Sequence, residues 1–342
     1  MHELLNVLYV QAQGAFLHLD HETVRVEADG QTKLRVPLLR LSALVVFGRV
    51  VISPFLIQQC AEDGRSIVWL DRRGRFRARI EGATRGNVLL RRAQHLALSD
   101  TEHTWRIARQ IVAAKIQNSR QVLLRAAREA AADERAPLAE AADRLAAALE
   151  RLRSAADLDT VRGAEGEAAR AYFGAFGLMV RNDRPSFTPD GRTRRPPRDR
   201  TNAVLSFLYA LVRAECASAL EGVGLDPQVG YLHALRPGRP ALALDLMEEF
   251  RPVLADRLAI TLVNRKQLKA EHFEELPGGA VQLTDEGRRA AIVAYQRRKE
   301  EQLQHRVLKE KVPFGLVPHV QARLLARHLR GDLNEYLPFL YR

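Results

Sequence analysis

The chain has 342 residues, which at roughly 150 residues per domain predicts about two domains and a large buried core. Fifty-three Lys and Arg against 41 Asp and Glu give a formal charge of +12, and 46% hydrophobic residues exclude a disordered polymer. Two cysteines far apart, Cys60 and Cys216, exclude a disulfide scaffold and a zinc ribbon, and apolar runs such as 207–212 fall short of the roughly 20 residues of a membrane span.

No cationic leader precedes an apolar stretch, so the expectation is a cytoplasmic protein with no membrane association. Its basic balance suits a partner that carries phosphates. An arginine- and alanine-rich composition also follows from a GC-rich genome, so the position of the charge matters more than its sum.

Residues 4–10, 15–19 and 22–27 read as short strands separated by Gly14, Asp20 and the Asp29-Gly30 pair. The alternation from Thr23 to Glu27 predicts one buried face, and 33–37 should pair with it across Asp29-Gly30. A helix over 53–60 has Ser53 as its N-cap and Pro54 at its first position. Residues 66–70 and 75–80 form a hairpin around Arg72-Arg73-Gly74.

From about His103 the period becomes helical, and no Gly or Pro interrupts it until Pro137. Further helices are expected over 138–152, from a cap at 157–160, and over 202–220, 245–263, 284–308 and 321–330. The fold class is therefore α+β. A β-rich, sandwich-like domain spans 1–90, and a larger all-helical domain spans 91–342.

Residues 181–200 hold seven arginines, three aspartates and four prolines without a long apolar run, and predict a loop or mobile segment. Arg194, Arg195 and Arg198 lie in its C-terminal half. Such a loop suits phosphate contact, and a solvated connection is the alternative.

On a helix, Glu165 shares a face with Ala168, Ala169 and Tyr172. A lone carboxylate among small residues, which let backbones pack closely, needs a metal ion or an arginine as partner. A surface glutamate beside a tight helix crossing fits the stretch equally. His233 precedes a Pro/Gly-rich turn and then Asp245, Glu248 and Glu249. Asp245 can cap a helix starting there, with Glu248 completing a capping box. The same imidazole and carboxylates also make a ligand set suited to Mn²⁺ or Mg²⁺.

The segment Arg162-Gly163-Ala164-Glu165-Gly166-Glu167-Ala168-Ala169-Arg170-Ala171-Tyr172-Phe173 closely resembles the first signature of the CRISPR adaptation integrase family, CRISPR-associated protein one. Gly230-Tyr231-Leu232-His233 and the stretch from Asp245 to Pro252 are similar to its second and third. The run from Asp199 to Ser206 resembles the opening of its central helix, and Lys115-Ile116-Gln117-Asn118 its Lys-Ile-x-Asn helix. Gly86-Asn87-Val88 with Arg91, Arg92 and Gln94 resembles its domain junction. Leu329 to Leu333 and Pro338-Phe339-Leu340 are similar to endings in one type I subtype. The likeness covers nearly the whole chain in the right order.

The resemblance implies a β-sandwich domain followed by a helical catalytic domain. It also implies that Glu165, His233 and Glu248 ligate Mg²⁺ or Mn²⁺, with Asp245 an accessory acidic position and Arg251 near the scissile phosphate. Arg200 departs from a commoner proline, and Glu248 stands where many members have aspartate. At 100° per residue both Glu248 and Glu249 lie near the Asp245 face, so periodicity cannot choose between them. The family pattern selects Glu248 and leaves Glu249 to an arginine or to solvent.

The implied activity is a metal-dependent DNA endonuclease and integrase, in which a 3′-hydroxyl attacks a repeat phosphodiester during spacer acquisition. The implied partners are double-stranded DNA with 3′ ends, CRISPR repeat DNA, a second copy of the chain in a homodimer joined through the β-domains, and CRISPR-associated protein two. A non-enzymatic DNA-architectural protein would explain the charge but not Glu165, His233 and Glu248 together. Another metallohydrolase would not explain the arginine loop. Ser206 and Cys216 lack the flanking glycines of a nucleophile elbow.

Overall fold

The computed structural model describes residues 2–4, 7–72, 76–83 and 88–341. Gly86-Asn87, Arg73-Gly74 and part of the expected first strand fall outside them.

Among the described residues nine strands build the N-terminal part. They are β1 (His2–Leu4), β2 (Val7–Val10), β3 (Ala15–Asp20), β4 (Thr23–Ala28), β5 (Gln31–Pro37), β6 (Ala43–Phe47), β7 (Val50–Ile52), β8 (Ser66–Leu70) and β9 (Phe76–Ile80), with α1 (Pro54–Glu62) between β7 and β8. Two sheets result, in the orders β1-β2-β6-β8-β9 and β5-β4-β3-β7. The expected pairing of β4 with β5 is antiparallel across Asp29 and Gly30, both at positive φ, as a tight hairpin turn requires. Ser53 caps α1, its hydroxyl accepting from the Leu56 N–H at 3.3 Å.

The sheets face each other through Leu8, Leu44 and Val46 on one side and Leu17, Val24 and Val26 on the other. The first sheet is buried on its second face as well. There Tyr9, Val45, Phe47 and Val68 pack into the core of the helical part. This double burial explains the unbroken apolar run Ala43–Phe47 and the parallel pairing of β6 with both β2 and β8.

The helices are α2 (Val88–Ser99), α3 (Thr101–Glu129), α4 (Ala132–Arg153), α5 (Leu158–Gly174), α6 (Arg184–Phe187), α7 (Arg200–Gly222), α8 (Ala241–Met247), α9 (Arg257–Asn264), α10 (Asp285–Glu300) and α11 (Val317–Leu329). Asp157 and Asp199 cap α5 and α7 through the N–H groups of Thr160 and Asn202, each at 2.7 Å. By length and composition α7 could cross a membrane, but much of it is buried in the core.

Three expectations need correction. The C-terminal part is not all-helical: β10 (Phe273–Leu276) with β11 (Ala280–Leu283), and β12 (Gln302–His305) with β13 (Glu310–Pro313), form two antiparallel hairpins. The helix expected over 284–308 accordingly stops at Glu300, because Glu301 turns to an extended backbone. The helix expected over 245–263 is instead α8, a wider π-helical turn at Arg251–Asp256, and α9. Asp245 therefore lies inside α8 and does not cap it.

Candidate active site

Three helices meet at the predicted residues. Glu165 rises from the middle of α5, Glu248 ends α8, and Lys115 reaches both from α3. Lys115 Nζ pairs with Glu165 and lies 2.7 Å from Glu248 Oε2. Glu248 Oε1 accepts from Arg251 Nη1 at 2.7 Å. Glu248 is 2% exposed. Burial opposes its charge, but Arg251, Lys115 and His233 outweigh that cost and hold the carboxyl well below the usual carboxylate range. Glu248 is therefore ionised at any physiological pH.

The loop carrying His233 is fastened to α8 by Asp245. Its Oδ2 accepts the N–H groups of Tyr231 at 2.6 Å and Leu232 at 3.0 Å, and its Oδ1 accepts the His233 N–H at 2.9 Å. The His233 ring also donates through Nδ1 to Oδ1, at 2.7 Å. Four donors on one fully buried carboxylate make Asp245 an organiser of the loop, and the bond at Nδ1 leaves Nε2 as the ring nitrogen not engaged by Asp245. Gly230 is required at this crossing, since a Cβ there would come within 2.6 Å of the Ala241 carbonyl carbon and 2.8 Å of Asp245 Oδ2. Arg162 donates to the Leu232 carbonyl at 2.9 Å, tying the loop to α5 one turn before Glu165.

The glycines around Glu165 behave differently from the expected close packing. A Cβ at Gly163 or Gly166 would meet nothing within 4 Å, so they keep the flank of Glu165 open. The close packing falls to Ala164 and Ala168, both buried.

Arg251 is 8% exposed, bonded to Glu248 and stacked 4.2 Å from the Tyr209 ring. Tyr209 in turn donates to Asp256 at 2.5 Å. Burial pushes the Asp256 carboxyl up to about 6 against the lowering pull of Arg251, Tyr209 and Arg192.

Glu249 departs most from expectation. It is fully buried and meets neither an arginine nor solvent. Tyr336 donates to its Oε1 at 2.5 Å, and the Phe339 N–H and Gln321 amide donate to Oε2 at 2.7 and 3.1 Å. Burial raises its carboxyl to about 8 despite these donors. Asn118 completes the clasp, donating to the carbonyls of Glu249 and Phe339 at 2.8 and 3.0 Å and accepting from the Tyr341 N–H at 2.8 Å. Glu249 thus anchors the C-terminal segment beneath the site.

Two features are not evident from the sequence alone. Lys115 stands out there only within the Lys-Ile-x-Asn likeness, although a cation sharing a helix face with Ile111 and Val112 signals a buried partner. The second is a groove lined by Arg125, Arg181, Arg257, Arg265, Arg289 and Arg297. Its α3 wall, Val122 and Ala126, continues the helical stripe that begins with Lys115 and Ser119 at the site. Arg194, Arg195 and Arg198 are exposed and form no ion pair among the described residues.

A hard-to-borderline divalent ion would suit the donor types here, two carboxylates and an imidazole. Glu165 and Glu248 already converge on one cation, Lys115. Among the described residues no three His, Cys, Asp or Glu side chains stand close enough to hold an ion as they are placed.

Two facing sheets are thus backed by helices, and carboxylates from α5 and α8 meet beside a histidine held by Asp245. The chain belongs to the Cas1 family: residues 8–297 match the family model described as CRISPR associated protein Cas1. It is 57% identical to a CRISPR-associated endonuclease Cas1 of Moorella thermoacetica and 52% identical to one of Rhodospirillum rubrum, over all of both chains in each case. Among solved structures it resembles the Cas1 protein TM1797 of Thermotoga maritima, with TM-score 0.79 and 25% identity over 95% of this chain and 97% of that one. It shares its fold with a casposase bound to an integration product, with TM-score 0.82 and 20% identity over 98% and 94% of the two chains.

Proposed function

We propose that this chain is a divalent-metal-dependent DNA endonuclease and integrase, which inserts captured double-stranded fragments into a CRISPR repeat through their 3′ ends. The observation that carries the reading is the convergence of Glu165 and Glu248, from separate helices, on a single cation beside a histidine held by Asp245. Relatives named as endonucleases, 57% and 52% identical over their whole length, support the reaction class.

Glu165, Glu248 and His233 Nε2 would hold Mg²⁺ or Mn²⁺, which when bound polarises the scissile phosphodiester and offsets the charge of its transition state. Asp245 fixes the ring and tautomer of His233. Arg251 holds Glu248 ionised and in place. In joining, the fragment's 3′-oxygen bonds to a repeat phosphorus while that phosphorus releases a repeat 3′-oxygen, and the proton of the attacking hydroxyl ends on the released one. One phosphodiester replaces another, so no nucleotide triphosphate is consumed. With water as nucleophile the same displacement is cleavage.

The arginine groove and Arg194, Arg195 and Arg198 would carry the DNA backbone, and their spread suits phosphate contact more than base reading. The partners proposed are a second copy of the chain and CRISPR-associated protein two. A fold-level likeness to Cas1 within a Cas6-RT-Cas1–Cas2 complex agrees with this.

The test is joining of a labelled duplex with 3′-hydroxyl ends to repeat DNA in Mn²⁺, alongside a binding measurement. EDTA, Glu165→Ala, His233→Ala and Glu248→Ala should each abolish joining and leave binding. Asp245→Ala should weaken Mn²⁺ affinity by about 10- to 100-fold, as loss of a ligand's hydrogen-bond partner does. Joining that survives EDTA, or near-normal joining by His233→Ala, would refute the assignment.

A further inference from the structure

Lys115 has no role in the reaction as proposed, yet it stands at the centre of the site. Its ammonium bridges Glu165 on α5 and Glu248 at the end of α8, and its side chain is 12% exposed. We infer that Lys115 is a built-in counter-cation for the metal-free site, holding the two carboxylates together until a divalent ion displaces its ammonium. The inference rests on the metal-dependent reading above.

The charge balance motivates it. Glu165 and Glu248 carry two negative charges, and Lys115 and Arg251 carry two positive ones, so these four groups balance one another. With Arg251 as the only counter-charge, one of the two carboxylates would stand unbalanced, and α3, α5 and α8 would be pushed apart where they meet unless a second positive charge were present. Lys115 supplies that charge in the absence of metal.

A divalent ion held by Glu165 and Glu248 would compete with the ammonium for the same two carboxylates. Ammonium and ion cannot both keep them, because like charges would then lie within a few ångströms of each other. Lys115 can yield where Arg251 cannot. An ammonium on a flexible four-carbon stem moves easily, whereas the Arg251 guanidinium is bonded to Glu248 and stacked on Tyr209. The flank of Glu165 beside Gly163 and Gly166 is open. The exchange would add one positive charge to the site, which favours a phosphodiester. Phosphate affinity at the site would therefore follow metal loading.

The experiment is a calorimetric Mn²⁺ titration of the full chain without DNA, with melting temperatures recorded alongside. Wild type, Lys115→Met and Glu248→Gln are compared. With the competing cation removed, Lys115→Met should bind Mn²⁺ about tenfold tighter, a change of ~1.4 kcal/mol. It should also melt lower than wild type without metal and gain more in melting temperature on Mn²⁺ addition. If Lys115→Met folds only with Mn²⁺, the ion is replacing the ammonium and the inference stands. A variant unfolded at every Mn²⁺ concentration would refute it. Unchanged or weaker Mn²⁺ affinity in Lys115→Met, with binding lost in Glu248→Gln, would overturn the role of Lys115 and leave the metal site intact. Absence of Mn²⁺ binding to wild type, or normal binding to Glu248→Gln, would overturn both.

Discussion

Adjacent glutamates in this chain do opposite work. Glu248 is held ionised by Arg251 and Lys115, whereas burial raises Glu249 to about 8, where it clasps Tyr336, Phe339 and Gln321. Helical periodicity places both near one face and cannot reveal that difference, because the partners of Glu249 lie 72 or more residues away in sequence. Asp245 shows the same limit: its spacing to Glu248 suggests a cap, and only the return of the 231–233 loop makes its carboxylate a cradle. The Glu249 clasp predicts a pH dependence. Its folded value of about 8 lies above its ordinary 4.5, so the folded state holds the proton more tightly. The stability it contributes is full below pH 4.5 and is lost as pH rises towards 8, with a slope of at most ~1.4 kcal/mol per unit. Glu248 is depressed and loses its contribution only below its ordinary 4.5, outside this window. Denaturant midpoints at pH 5, 6.5 and 8 should therefore fall more steeply for wild type than for Glu249→Gln. Parallel curves would refute the protonated clasp.

At the scale of elements, the helix starts that a side chain caps are the most legible in the sequence, because capping is local chemistry. Ser53, Asp157 and Thr284 each accept a bond from an N–H three residues on. The two C-terminal hairpins are not legible. Their four-residue strands, such as Phe273–Leu276 and Gln302–His305, lack the β-branched alternation that marks a strand. Lys309 makes the second turn at a positive φ of 56°, with no glycine to announce it. The arginine loop reads as a loop or mobile segment, yet it is fastened at several points. Arg192 donates to Asn202 at 2.7 Å, the Arg198 N–H to Thr193 at 3.0 Å, and the Val281 N–H to the Pro197 carbonyl at 2.9 Å. Anchored backbone with exposed arginine heads suits phosphate contact at little ordering cost. Replacing Arg194, Arg195 and Arg198 with Gln should therefore lower DNA affinity evenly across sequences. It should also flatten the slope of log K against log salt by about 0.9 for each phosphate that is no longer neutralised. An unchanged slope would return the loop to a solvated connection.

At the scale of the molecule, the strand-rich part and the helical part share buried surface, which predicts that they unfold together. Tyr9, Val45, Phe47 and Val68 put the second face of the first sheet against the helices. A polar knot crosses the same boundary: Glu215 of α7 accepts from Tyr9 at 3.0 Å and Tyr295 at 2.9 Å, and pairs with Lys299, itself 2% exposed. Splitting the chain near residue 90 would expose an apolar sheet face and strand this knot, so the two parts should not melt apart. The chain's two tryptophans, Trp69 in β8 and Trp105 in α3, report on the two parts separately. Single-tryptophan variants, Trp69→Phe and Trp105→Phe, should give coincident denaturant transitions once their own stability changes are allowed for. Glu215→Ala leaves Lys299 buried without its partner and should lower both transitions together, by about 3–5 kcal/mol. If only the Trp69 signal moved to lower denaturant, or if the wild-type probes already separated, the shared face would not couple the two parts.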